Sequence, residues 1–260
     1  MKQREENGSG SISDNGGGRH IPRLFVDAPL GEGLQVGLER DQVHRLVNVM
    51  RRKAGDPVLV FNGRDGEWKG ELAQVTRKAA VLDLKSLLRP QPVPADITLA
   101  FAPLKHARLD YVAQKAAEMG VRRIVPVITR HTVSGKFNAE RFLANVIEGA
   151  EQCGVLWIAG VDKPVPLERF LADLDASQTL VFCDEAAEAA NPVDALADAR
   201  PPLTVLIGPE GGFSSDEREA LRALEAAIPV SLGPRIMRAD TAIVAALALV
   251  QCACGDWQGL

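Results

Sequence analysis

The residues best suited to chemistry sit in three consecutive loops near the C-terminus. Gly208-Pro-Glu-Gly-Gly-Phe213 follows the apolar stretch Leu203–Ile207, and Ser231-Leu-Gly-Pro-Arg-Ile-Met-Arg238 follows Ile228–Val230. Ala239-Asp-Thr-Ala242 then opens the last apolar run of the chain. Glycine lets a backbone approach a ligand closely and adopt conformations closed to other residues. Glu210 would stand at the carboxyl edge of a sheet, and Asp240 and Thr241 suit either a helix cap or a ligand contact. One such loop reads more readily as a tight turn with an ordinary cap. Two at adjacent strand ends, followed by Arg238 and Asp240, point instead to a ligand site.

Other familiar chemistries find no support. Gly31-Glu-Gly33 has its next glycine at Gly37, one position too late for a dinucleotide fingerprint. Gly149 and Gly154 have phosphate-loop spacing, but Val155 stands where a lysine is needed, and the segment has a helical pattern. His20, His44, His106 and His131 are scattered, with no cysteine or carboxylate at metal-ligand spacing, so no metal site is expected. Cys153, Cys183, Cys252 and Cys254 form no CxxC pair and read as buried free thiols of a reducing compartment.

The loops need a scaffold, and the pattern supplies one. From residue 97 onward strands and helices alternate. Strands are expected at Ile97–Ala102, Arg123–Ile128, Thr179–Asp184, Leu203–Gly208 and Ile228–Leu232, and helices at Arg108–Met119, Ala139–Cys153, Ser214–Ala227 and Ala239–Ala253. Such alternation implies a parallel sheet covered by helices on both faces, with ligands beyond the carboxyl ends of the strands. Pro90, Pro92 and Pro94 mark a stiff linker over 90–96. Before it the pattern is mainly of short strands: Arg23–Val26, then Pro57–Phe61 and Glu67–Val75 as a hairpin around Asn62–Gly66, then Ala79–Leu87. A helix carrying Val43, Val47 and Met50 on its apolar face interrupts them. A small barrel over 21–89 is expected, preceded by a disordered polar tail over 1–20.

Net charge is −4, with 46% hydrophobic and 25% charged residues. The charge is unevenly spread. Residues 1–91 carry 15 Lys/Arg against 12 Asp/Glu, while the remainder carries 15 against 22. Arg40, Arg45, Arg51, Arg52 and Lys53 are opposed only by Asp41, a cluster that fits either a phosphate backbone or a solvated helix face. No signal-type segment opens the chain, and the longest apolar run, Ala242–Val250, falls short of the ~20 residues of a membrane span. A cytoplasmic protein with no membrane partner is expected.

These residues together resemble the ribosomal RNA small subunit methyltransferase E family of the SPOUT superfamily. The resemblance rests on Gly208-Pro-Glu-Gly-Gly212 and on Leu232-Gly-Pro-Arg-Ile-Met-Arg-Ala-Asp-Thr-Ala242, where Met237 replaces the usual Leu and Asp240 the usual Glu. Lys115-Ala-Ala-Glu-Met-Gly-Val121, the Glu151-Gln152 pair and the run from His44 to Arg51 with Gly55-Asp56 and Phe61-Asn-Gly63 extend it. The arginine usual shortly after the Glu-Gln pair is missing. The resemblance implies an α/β domain threading a C-terminal trefoil knot, a PUA-like N-terminal barrel and a homodimer. It implies S-adenosylmethionine (SAM) as cofactor and methylation of uridine N3 in 16S rRNA, free or in the small subunit, at the nucleotide conventionally numbered 1498.

Under that resemblance, Gly208, Gly211, Leu232, Gly233, Ile236 and Met237 are the expected cofactor contacts. Uracil N3 is a poor nucleophile until its proton leaves. Arg238, a permanent cation, is the candidate that favours the uracil anion, and Glu210 or Asp240 the candidate proton acceptor. Arg238 fits equally a salt bridge, and Asp240 a helix N-terminal charge. Lys115 and Glu118, at i, i+3, are expected to pair with each other. Arg45, Arg51, Arg52 and Lys53 are the expected RNA contacts. Rival readings are a non-catalytic RNA-binding dimer, an anion-binding enzyme using the Gly208–Gly212 loop, and a related enzyme modifying another nucleotide.

Overall fold

A computed structural model of the chain describes residues 20–133, 137–175, 177–184 and 191–259. The polar tail expected over 1–20 lies, His20 apart, outside the described residues. The chain divides into two compact units, Met1–Pro92 and Val93–Leu260.

The first unit holds strands β1 (Arg23–Phe25), β2 (Gln35–Gly37), β3 (Pro57–Phe61), β4 (Glu67–Val75) and β5 (Ala80–Arg89), with helix α1 (Arg40–Val43) between β2 and β3. Their order in the sheet is β1-β3-β4-β5-β2; β1 and β3 run parallel and the other neighbours antiparallel. Leu24, Val58, Val60, Leu72, Leu82 and Leu84 form its core with Val43 and Leu46. The β3–β4 hairpin turns where expected. Asn62 Oδ1 accepts from the amides of Arg64 and Asp65, and Gly66 has φ +82° with Arg89 O only 2.4 Å from where a Cβ would stand. β2 escaped the sequence reading, being three residues long.

The helix after β2 differs from expectation. α1 passes at once into a π-helical stretch, His44–Val49, whose exit bonds span wider turns than an α-helix allows: Met50 N–H to Arg45 O and Arg52 N–H to Leu46 O, both 2.9 Å. The wider turn rotates the apolar stripe. Val43 and Leu46 are therefore buried, while Met50 is 38% exposed.

The second unit contains β6 (Ile97–Phe101), α2 (His106–Glu118), β7 (Arg123–Ile128), α3 (Ala139–Cys153), β8 (Gly160–Val161), β9 (Val165–Pro166) and α4 (Leu167–Ala172). It continues with β10 (Thr179–Cys183), α5 (Pro192–Ala195), β11 (Leu203–Ile207), α6 (Ser215–Arg222), β12 (Ala227–Val230) and α7 (Ala239–Cys254). Every ladder is parallel, in the order β12-β10-β11-β6-β7-β8, with β9 also on β7. β6 and β11 are buried along their whole length, as strands covered on both faces must be. Ala100, Phe182 and Leu206 pack with Leu167 of α4 and Leu221 of α6. Phe101 stacks on Phe142 of α3 from the other face, at 5.9 Å between ring centroids.

α6 ends at Arg222, earlier than expected, because a turn closed by Ala227 N–H to Leu224 O (3.1 Å) starts β12 at once. Cys254 is buried, but Cys153 and Cys252 are exposed, which corrects the expectation of buried thiols for those two. Among the described residues no helix is long and apolar enough to cross a membrane, and no group of three or more His, Cys, Asp or Glu could hold a metal ion.

Candidate active site

β10, β11 and β12 lie side by side, so their carboxyl ends open onto common space. The loops that leave them enclose a cavity of about 420 Å³. Its wall includes Gly208, Gly211, Leu232, Gly233, Ile236 and Met237, the six residues singled out for a cofactor, together with Glu210. Cys183 and Asp184, at the end of β10, and Ala239 and Ala242 of α7 also line it. Arg238 and Asp240 stand beyond the wall, where α7 begins.

The Gly208–Gly212 loop is held from several sides. Phe213 is buried and meets Phe182 edge-on, with ring centroids 6.4 Å apart, which roots the loop in the core. The Gly212 amide donates to Pro209 O at 2.9 Å. Ser214 then caps α6 in a reciprocal box: the Glu217 amide donates to Ser214 Oγ at 3.3 Å, and the Ser214 amide to Glu217 Oε2 at 2.9 Å. The other Glu217 oxygen accepts the Arg130 amide at 2.7 Å, and His131 Nδ1 lies 3.1 Å from Gly212 O. The segment after β7 thus buttresses the loop from behind. Room for a side chain is tight at Gly208 and ordinary at Gly211. A Cβ at Gly208 would stand 3.0 Å from the Phe213 ring, and one at Gly211 3.4 Å from His131 Cβ.

The second loop is built differently. Gly233 has φ +104°, and a Cβ there would meet nothing within 4 Å, so backbone conformation rather than space selects glycine. Ile236 is 96% exposed. At the floor, Asp184 is 1% exposed and meets two arginines of α6, Arg218 Nε at 3.1 Å and Arg222 Nη2 at 2.6 Å. Burial pushes the Cys183 thiol up to about 12, so it offers the cavity no thiolate at neutral pH.

The charged rim brings together residues from three elements. Glu210 pairs with Nη1 of Arg108, in the first turn of α2, and Arg108 Nε lies 3.7 Å from Asp240 Oδ2. Asp240 does not cap α7. The cap position belongs to Arg238, which makes no side-chain cap bond, and Asp240 Oδ1 accepts the adjacent Thr241 amide at 2.9 Å. Arg238 is exposed. Lys115 and Glu118 pair as expected, Nζ standing 2.7 Å from both carboxylate oxygens.

Arg108, His131 and Asp184 were missed by sequence reasoning. Arg108 alone carried a signal. A cation in the first turn of a helix opposes the helix dipole and calls for an anionic partner from elsewhere in the fold.

In the first unit the basic cluster divides. Arg51 and Lys53 are exposed and Arg45 half-buried. Arg52 is 8% exposed, and its Nη2 donates to the His20 carbonyl at 2.7 Å. Unlike its neighbours, this expected RNA contact is turned inward, its guanidinium tied to the backbone just ahead of β1.

Comparison with known proteins agrees with this architecture. Residues 91–251 match the model of the RNA methyltransferase domain, and residues 38–85 that of the RNA methyltransferase PUA domain. Ribosomal RNA small subunit methyltransferase E of Rickettsia conorii is 29% identical over 232 residues, spanning 88% of this chain and 94% of the relative. The protein of the same name from Synechocystis sp. is 30% identical over 220 residues, spanning 83% and 72%. Among solved structures, the Neisseria gonorrhoeae ribosomal RNA small subunit methyltransferase E bound to S-adenosyl methionine superposes with a TM-score of 0.81 at 28% identity, covering 92% of this chain and 100% of that one. A Legionella pneumophila protein solved in complex with SAM superposes at 0.80 and 30% identity, covering 91% and 99%. With a catalytic-domain match over more than half its length and a PUA match before it, this chain belongs to the ribosomal RNA small subunit methyltransferase E family.

Proposed function

We propose that this protein methylates N3 of a uridine in 16S rRNA, at the position conventionally numbered 1498, with SAM as methyl donor. The observation that carries the reading is the cavity at the carboxyl ends of β10, β11 and β12. Its volume of about 420 Å³ lies within the range of small-molecule sites. Its glycines leave backbone groups exposed to a flat heterocycle, and the Glu210 carboxylate at its wall complements a cationic ligand. These features fit SAM. Gly208, Gly211, Leu232, Gly233, Ile236 and Met237 would hold it. When bound, SAM supplies an electrophilic methyl group on a sulfonium.

The chain's own task is to make uracil N3 nucleophilic. Arg238, exposed beside the cavity, offers a charged planar fork to the uracil oxygens and favours the deprotonated base. Glu210 or Asp240 accepts the N3 proton. Arg45, Arg51 and Lys53 meet RNA phosphates. The homodimer belongs to the same reading: Ile236 is an almost fully exposed apolar residue beside the site, which a second copy would cover.

Two experiments test it. Mass spectrometry of 16S rRNA from a strain lacking the protein should reveal the loss of one 3-methyluridine; an unchanged modification profile rejects the substrate. Gly211→Val, whose branched side chain must push on His131 or fill the cavity, should abolish SAM binding in calorimetry with the fold retained. Unchanged affinity refutes the assignment of the cavity.

A further inference from the structure

Arg108 occupies a position that folding alone would not favour. It sits in the first turn of α2, where a positive charge meets the positive end of the helix dipole, and that turn holds no acidic residue. Its partners arrive from 102 residues away, Glu210 on the loop after β11, and from 132 residues away, Asp240 in the first turn of α7. Each partner takes a different nitrogen, Glu210 the Nη1 and Asp240 the Nε. A lysine ammonium is a single point charge and cannot present two separated edges in this way. Without a cation between them, two carboxylates at one rim would repel each other. The rim is also half open: Arg108 is 29% exposed, Glu210 53% and Asp240 20% on their side chains. Surface pairs of this kind add little to stability.

We propose that Arg108 is a positioning residue of the methyl-transfer site: a cross-brace that fixes the Gly208–Gly212 loop and the start of α7 at one spacing by holding Glu210 and Asp240 together. The brace stands on a firm base, since α2 follows the central strand β6 and packs on α3 and α7. It ties the loop that forms one wall of the cavity to the helix that carries the rim residues. This rests on the reading above for what the site does, but the brace itself is a property of the chain without any ligand.

Hydrogen exchange on the full-length, ligand-free protein therefore tests it first. The peptide spanning Gly208–Phe213 contains the Gly212 amide, whose bond to Pro209 O reports on the loop's shape. Arg108→Gln should speed exchange there about tenfold or more, because a loop that has lost its tie opens locally. Arg108→Lys, which can hold one carboxylate, should fall between, and Arg169→Gln, which removes an exposed pair on α4, should leave the peptide unchanged. Combining Arg108→Gln with Glu210→Gln should add little to the first change, since both break one contact. Unchanged exchange in both Arg108 variants, or additive changes in the double variant, overturns the brace.

Kinetics then separate positioning from RNA contact. Arg108→Gln should lower kcat by about a hundredfold, as displaced catalytic groups do, with KM for RNA held. A raised RNA KM with kcat intact overturns the proposal, because it makes Arg108 a phosphate contact. If the wild-type protein fails to bind SAM in calorimetry, the proposed function fails, while exchange still decides the brace.

Discussion

Glu67 in the first unit and Glu210 in the second both meet arginines, and their surroundings differ in nearly every other respect. Glu67 is 2% exposed, with Arg23 Nε 2.5 Å from Oε1 and Arg89 bonding both its oxygens at 2.8 and 3.0 Å. Arg23 is itself nearly buried and lies over the Phe61 ring, 4.0 Å from its centroid. Glu210 is half exposed beside a cavity, and its arginine is shared with a second carboxylate at 3.7 Å. The same two chemical groups therefore serve opposite ends. Where water is excluded, removing one partner strands a charge, and the pair is committed to the fold. Where water reaches, the pair contributes little stability, and its use is geometric.

Deleting one partner in each place breaks or sharpens that contrast. Glu67→Ala removes a buried carboxylate from between Arg23 and Arg89, and should cost about 3–5 kcal/mol in urea unfolding, with SAM affinity unaltered. Arg108→Ala should cost about 0–1 kcal/mol by the same measurement. Equal losses would erase the distinction between a structural and a positional ion pair.

A second difference shows in acid. Burial alone would raise the Glu67 carboxyl, but bonds from Arg89 and Arg23 and their charges outweigh it and hold the group below its ordinary value of 4.5. A carboxyl depressed in the folded state stabilises the fold above its unfolded value and loses that contribution as pH falls through the folded one. Urea stability should therefore decline below about pH 4.5, and Glu67→Gln should make that decline shallower. Asp65, held down by the Asn62 side chain and then the Leu30 amide, loses its contribution below its own ordinary value of 3.8 and should survive as a residual slope there in that variant. An identical acid profile in the variant would mean that Glu67 does not supply the slope.

How far the sequence revealed these arrangements depended on range. β7 and α3 are bounded where apolar periodicity placed them, because that signal is local. The glycine loops declared themselves too, since backbone conformation and close approach restrict residue type. β8, β9, α4 and α5 did not, being two to six residues long and held by tertiary contacts rather than by propensity. The π-helical turn was hidden because its apolar residues suit ordinary helical spacing until Met50. Arg108 and Asp184 are single residues whose partners lie 34 to 132 positions away, and nothing in their neighbourhoods names those partners.

The basic cluster poses the contrast between buried and open charge on adjacent residues. Arg51 is exposed and holds φ +56°, while Arg52 points inward to the His20 carbonyl. If burial sorts structural charge from functional charge, neighbours of identical type should behave differently. Arg51→Ala and Lys53→Ala should each lower the slope of log affinity against log salt for RNA by roughly one, the worth of one phosphate contact, with little change in stability. Arg52→Ala should leave that slope alone and destabilise the protein by about 1–3 kcal/mol, because a buried side chain and its charge-assisted hydrogen bond are lost. The test is the pairing of outcomes: a reduced salt slope in Arg52→Ala would show that the inward-facing guanidinium turns out to meet RNA, and exposure in the free protein would then be no guide to which charges serve binding.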